Sequence, residues 1–242
     1  MKQKQTMRNG VLVKSLALMA AALLGAAGSA RGGFNDDWDY KASLTFSGYS
    51  GTETLTNFPV LVNLASFSGF AYSQVSDAAG GDLRFADANG AELNFEIESW
   101  NPSGDTFVWV QVPALTNNAA IIAYWGNDAA TLPVYATDGS TWSNGYVAVY
   151  HLSETSGTSG DSSPQANTLT LKGNTTLGSA GRVGLSPRLP DGNNDWLEAA
   201  DHNSLEGMGQ LTLEAWIYDE QNDANARAII SKRTGSGSQI SF

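Results

Sequence analysis

The chain contains no cysteine. That excludes disulfides, thiolate metal sites, a catalytic cysteine and a lipid anchor attached at a leader-cleavage cysteine. Basic residues are scarce, 13 Lys and Arg against 24 Asp and Glu. Four of them (Lys2, Lys4, Arg8 and Lys14) precede Ala30, which leaves nine and a net charge of −15 for the remainder. A field of that sign repels phosphate backbones and argues against nucleic acid as a partner. No stretch after Ala30 is apolar enough to span a bilayer. Heptads, internal repeats and long helical periodicity are also missing. So are the G-x-S-x-G elbow, the P-loop lysine and any H-x-x-x-H spacing. His151 and His202 therefore read as structural histidines, and no residue is singled out as catalytic. The chain reads as non-enzymatic.

The first thirty residues have the form of a secretory leader. A basic start is followed by the apolar run Leu16 to Ala27 and by the small residues Gly28-Ser29-Ala30. The mature chain is thus expected to be exported: periplasmic, cell-surface or secreted. Without disulfides it must rely on its core, and seven Trp, nine Phe and eight Tyr supply the material.

After the leader, short alternating or apolar runs are separated by Gly, Asn, Asp and Ser clusters. Lys41 to Phe46, Phe58 to Leu64, Leu83 to Phe85, Leu93 to Ile97, Phe107 to Val112 and Ile121 to Trp125 form one set. Tyr146 to Leu152, Leu169 to Leu171, Trp196 to Ala199, Leu211 to Tyr218 and Ala228 to Ser231 form a second. This spacing predicts an all-β fold of two sandwich modules. The organisation is a leader at 1–30, a first β module at 34–130, a linker at 131–145 and a second module at 146–242.

One hairpin is derivable in detail. Leu83 and Phe85 share a face with Leu93, Phe95 and Ile97 if the loop is Ala88-Asn89-Gly90. That register pairs Phe85 with Leu93 and Leu83 with Phe95. It puts Gly90 where a type I turn with a bulge needs positive φ. The opposite face carries Asp82, Arg84, Glu92, Asn94, Glu96 and Glu98. Arg84 is expected either to offset repulsion among these carboxylates or to belong to a functional cluster. Such a cluster is a Ca²⁺ site with Asp82, Glu96 and Glu98 as metal candidates, or a glycan contact. The D-G-N-N-D turn supplies a second candidate set, Asp191, Asn193 and Asp195, against the alternative of a solvated turn. Ca²⁺ is the cofactor that either set of oxygen ligands would suit. Trp100, Trp109, Trp125 and Trp216 read as core or half-buried. Trp38, Trp142 and Trp196 lie near turns and are the candidate ligand-stacking rings. Glu96 and Glu98, two apart on one strand, share a face as a glycosidase pair would. The Glu-x-Asp-x-Glu strand of glucanases is absent.

Several motifs in the first module occur in a familiar order: N-D-D-W-D-Y-K-A-S-L-T-F, L-T-N-F-P-V-L-V-N-L, G-G-D-L-R-F-A-D-A-N-G, F-E-I-E-S-W-N, F-V-W-V-Q-V-P and A-Y-W-G-N. Together, over roughly Asp37 to Trp125, they resemble an uncharacterised bacterial family, an extracytoplasmic β-rich domain of unknown function. The resemblance implies a place ahead of laminin-G-like modules or of TolQ/ExbB-type proton channels, and it carries no catalytic residues. From Tyr146 onward, Y-V-A-V-Y-H-L-S-E, D-S-S, D-G-N-N-D-W-L-E-A, L-T-L-E-A-W-I-Y and I-I-S-K-R resemble the opening strands of a concanavalin A-like (laminin-G-like) sandwich. The departure from that pattern is at Leu189-Pro190. This second resemblance implies an incomplete jelly roll whose later strands lie past Phe242, with Trp216 in its core. The functional expectation is a non-catalytic recognition or adhesion module for glycan or cell-envelope proteins. Its alternatives are the periplasmic front end of a biopolymer-transport channel and a glycoside hydrolase whose active site lies beyond the chain.

Overall fold

A computed structural model describes residues 21–22, 36–190, 194–220, 228–234 and 238–240. Of the expected leader it therefore describes only Ala21–Ala22. The chain divides into a unit from Leu16 to Ser204 and a second whose described part lies within Leu205–Phe242. The described residues contain strands, 3-10 turns and loops but no α-helix, and no helix among them is long and apolar enough to cross a membrane. The all-β expectation holds.

The larger unit carries β1 (Ala21–Ala22), β2 (Tyr40–Phe46), β3 (Leu55–Asn63), β4 (Arg84–Ala86), β5 (Phe95–Ser99), β6 (Phe107–Leu115), β7 (Ala119–Trp125), β8 (Leu169–Lys172), β9 (Thr176–Ala180), β10 (Leu185–Arg188) and β11 (Trp196–Ala199). Two antiparallel sheets, ordered β1-β2-β7-β4 and β3-β6-β5, hold the first seven. Alternation decides which side chains turn inward. Leu44, Phe46, Phe85, Ile121, Ala123 and Trp125 from one sheet meet Val60, Val62, Phe95, Val108, Val110 and Val112 from the other in a single buried cluster. Burial of this much aromatic and β-branched surface is the main stabilising term.

The predicted hairpin begins as expected and then parts. Ala86 bridges Glu92, and the Leu93 N–H donates to the Phe85 carbonyl at 2.8 Å, which is the derived register. Leu83 and Phe95 do not pair. β4 joins β7, with Phe85 opposite Ala123, while β5 joins β6, with Phe95 opposite Val110. Each arm finds a longer partner, so the hairpin becomes a corner between the layers. Both phenyl rings remain in the core, edge to face at 5.3 Å. Gly90 has φ +84° in that corner. Gly90→Ala should cost about 1 kcal/mol, read as a lowered urea midpoint with unchanged slope.

Residues 131–145, expected as a linker, include the 3-10 turns Val134–Ala136 and Ser140–Trp142, with Ala136, Thr141 and Trp142 buried. Beyond them, β8 pairs with β11, and β9 with β10 across a turn that the sequence pattern did not signal. Tyr146 to Leu152 is not a strand. Its backbone is held instead by the Asp161 carboxylate and the Ser162 N–H, both bonded to Val149. In the second unit, β12 (Lys232–Thr234) pairs with β13 (Ser238–Ile240). Leu211 to Tyr218 and the described Ala228 to Ser231 are not strands either. Trp216, expected in a core, is 69% exposed. An alternating strand is buried only when a neighbouring sheet covers its apolar face, and among the described residues no strand pairs with this segment.

Candidate functional site

On β5, Phe95 and Ile97 point into the core, so Glu96 and Glu98 project from the opposite face of the β3-β6-β5 sheet. Trp109 lies directly opposite Glu96 on β6, with Leu61 beyond it on β3. Such a face would ordinarily meet water. Here it is covered by the segment from Val134 to Asn167, as a strap over the sheet. The Gln111 amide donates to the Thr141 carbonyl at 3.1 Å, and the Asn94 amide to that of Ser140 at 3.3 Å.

The strap delivers His151 between the two carboxylates. Its Nδ1 contacts Glu98 Oε2, and its Nε2 lies 3.4 Å from Glu96 Oε1, within ion-pair range but not aligned as a hydrogen bond. Each carboxylate has further donors. Trp142 Nε1 donates to Glu96 Oε2, and the Ser162 hydroxyl to Glu96 Oε1 at 2.6 Å. Trp109 Nε1 donates to Glu98 Oε2 at 2.8 Å. The Trp109 and Trp142 rings meet at 5.2 Å and lie 6.2 and 5.6 Å from the imidazole, together on one side of it.

Two effects compete at His151. Burial pulls its pKa down, while the close contacts with Glu96 and Glu98 and their charges more than offset this and push it up to about 9. For Glu96, burial raises the pKa, but the close contact with His151 and its charge, with the bonds from Ser162 and Trp142, leave it below the usual carboxylate range. Glu98 is only 3% exposed at its side chain. The cluster is a histidine clasped between two glutamate side chains.

Local turn chemistry explains how the strap places its residues. Asp161 Oδ1 accepts from the N–H groups of Val149 and Ser163, and Oδ2 from the Ser163 hydroxyl and the Asn167 N–H, all at 2.8–2.9 Å. That turn aims the Ser162 hydroxyl at Glu96. Tyr150, next to His151, donates to the Asn167 carbonyl at 2.6 Å. Burial first, then the Asp161 charge, push its hydroxyl up to about 12. Beside the clasp is a polar cavity of about 230 Å³, bordered by Glu96, Thr137, Asp138, Asp161, Ser162 and Ser163.

The other candidates lie elsewhere. Asp82 is fully buried, and its carboxylate accepts backbone N–H bonds from Ser76, Asp77, Gly126 and Asn127 at 2.7–3.4 Å. It organises loops rather than joining Glu96 and Glu98. Arg84 is not on an open acidic face. It is buried, donates to the carbonyls of Gly81, Leu83 and Thr131, pairs with Glu92 at 3.2 Å, and stands 5.6 Å from the Trp38 ring. Trp38 is half-buried, its Nε1 donating to the Asp82 carbonyl at 2.8 Å. Trp142 is 4% exposed, so it walls the clasp instead of meeting solvent. Trp196 is an exposed ring on β11. Asp191 and Asn193 lie outside the described residues, and Asp195 accepts the Asn174 N–H at 2.7 Å. Among the described residues no group of three or more His, Cys, Asp or Glu side chains is placed to hold a metal ion.

Residues 79–164 match the family described as Domain of unknown function (DUF2341). The matched span takes in β4 to β7, most of the strap and both halves of the clasp. It overlaps the motifs from G-G-D-L-R-F onward and continues past Trp125, the last residue of the motif resemblance. Searches of curated proteins and of solved structures found no match.

Sequence reasoning passed over His151, Ser162 and Asp161 as site residues. The D-S-S triplet is a turn signal, but only the folded chain brings it to Glu96, 66 residues away.

Proposed function

We propose that this chain is a non-catalytic extracytoplasmic recognition module that binds glycan or cell-envelope material. The Glu96–His151–Glu98 clasp is the observation that carries the reading. Glycoside hydrolysis by two carboxyls requires one with a raised pKa to act as acid and another free to attack or to activate water. Here both carboxylates face one imidazole, Glu96 is pushed the opposite way, and Glu98 is almost sealed. These residues hold the strap in place. The hydroxyls and carboxylates around the adjoining cavity are groups of the kind that meet sugar hydroxyls.

A glycan array probed with the purified chain tests this. The expected result is saturable binding to at least one glycan class, with no sugar release over prolonged incubation. Failure to bind any glycan, with or without a chelator present, would overturn the assignment to glycans. Release of sugar by the wild type that disappears in Glu96→Gln would overturn the non-catalytic part.

A further inference from the structure

We propose that the outer face of the β3-β6-β5 sheet carries a cage for a planar nitrogen cation, and that His151 fills it as a ligand tethered on the chain's own strap. This goes beyond glycan recognition and does not depend on it.

The cage has walls and charges that stand without the histidine. Trp109 comes from β6 and Trp142 from the Ser140–Trp142 turn, and their rings are in edge contact at 5.2 Å. Both indole N–H groups point at carboxylates, Trp142 to Glu96 and Trp109 to Glu98, so each acid is oriented by a donor other than His151. The Ser162 hydroxyl adds a third. Two preorganised carboxylates beside a pair of touching aromatic rings, largely out of water, make a site of net negative charge that strongly favours an occupying cation.

Its shape favours a flat one. The imidazole presents separate ring nitrogens to separate carboxylates, with its centre 5.6 and 6.2 Å from the two indoles. Imidazolium and guanidinium groups combine planarity with N–H donors pointing in different directions. A neutral ring of the same size supplies the fit without the charge.

The test is rescue in the full chain. In His151→Ala the cage is emptied, and free imidazole at pH 6, where it is mostly protonated, should refill it. The expected result is a saturable rise in melting temperature of about 5 °C. Wild type, whose cage is occupied, and His151→Ala/Glu98→Gln, which lacks one carboxylate, should show no such rise. Pyrazole, neutral and of equal size, should leave His151→Ala unchanged. An absent response to imidazole would overturn the proposal. So would an equal response to pyrazole, which would mark an ordinary void. Should His151→Ala not fold, the wild type decides. It has two histidines, and removing His202 isolates the side-chain ¹⁵N signals of His151. Both ring nitrogens should carry protons at pH 7.5; a neutral single tautomer would overturn the proposal.

Discussion

Asp82→Ala should destabilise the larger unit by about 4 kcal/mol, a large loss for a single substitution. The side chain has no exposure, and its two oxygens accept four backbone N–H groups from two separate loops. One loop is Ser76–Asp77. The other is Gly126–Asn127, at the end of β7. Removing the carboxylate strands donors inside the protein, and each buried unsatisfied donor costs about 1–3 kcal/mol. Water entering the vacated space recovers part of that. Asp82→Asn keeps one acceptor but turns an NH₂ group toward the remaining donors, so it should cost about half as much. Urea denaturation followed by tryptophan fluorescence measures both. A loss below about 1 kcal/mol for Asp82→Ala would show that the loops hold without the carboxylate.

The second large effect is a stability profile that falls on the alkaline side. His151 titrates near 9 in the folded chain, against about 6.5 when unfolded. A raised value means that the folded state binds the proton more tightly. The contribution is therefore complete below pH 6.5 and is lost as pH rises through about 9. The difference corresponds to about 3 kcal/mol. Glu96 runs the opposite way. Its lowered value gives a contribution that is complete above the ordinary carboxylate range and is lost as pH falls through that range. Both limbs describe the same ion pair, so their energies do not add. Melting temperature should be flat between about pH 5 and 6.5 and should fall steadily toward pH 9.5. In His151→Gln the alkaline fall should disappear, because the clasp no longer has a proton to lose. A wild-type profile that is level from pH 6.5 to 9.5 would show that the imidazole is not held as a cation.

Local pattern and tertiary contact divide this protein unevenly. The alternation of Leu83, Phe85, Leu93 and Phe95 was enough to mark them as inward-facing, and all four are buried. Asn89-Gly90 was enough to place the turn, and Ala86 does bridge Glu92 in the derived register. Neither pattern could reveal that the two arms separate into different sheets. That depends on β6 and β7, which lie further along the chain and offer longer ladders.

The candidate site shows the same division more sharply. Sequence alternation put Glu96 and Glu98 on the polar side of their strand, and that is their position. From the strand alone the polar side looked like the solvent side, with Trp142 a candidate exposed ring and Arg84 a surface counter-charge. The structure reverses each of these environments. Val134 to Asn167 folds back over the sheet and brings His151 to the glutamates from more than 50 residues away, while Arg84 turns inward to carbonyl oxygens. Which residues are polar or apolar, where turns occur and which face a strand presents are local properties, set by period and backbone geometry, and the amino-acid order determines them directly. Whether a polar face meets water or a covering segment depends on contacts between distant parts of the chain. Only the tertiary structure decides that, and here it turned two surface acids into the buried clasp of a histidine.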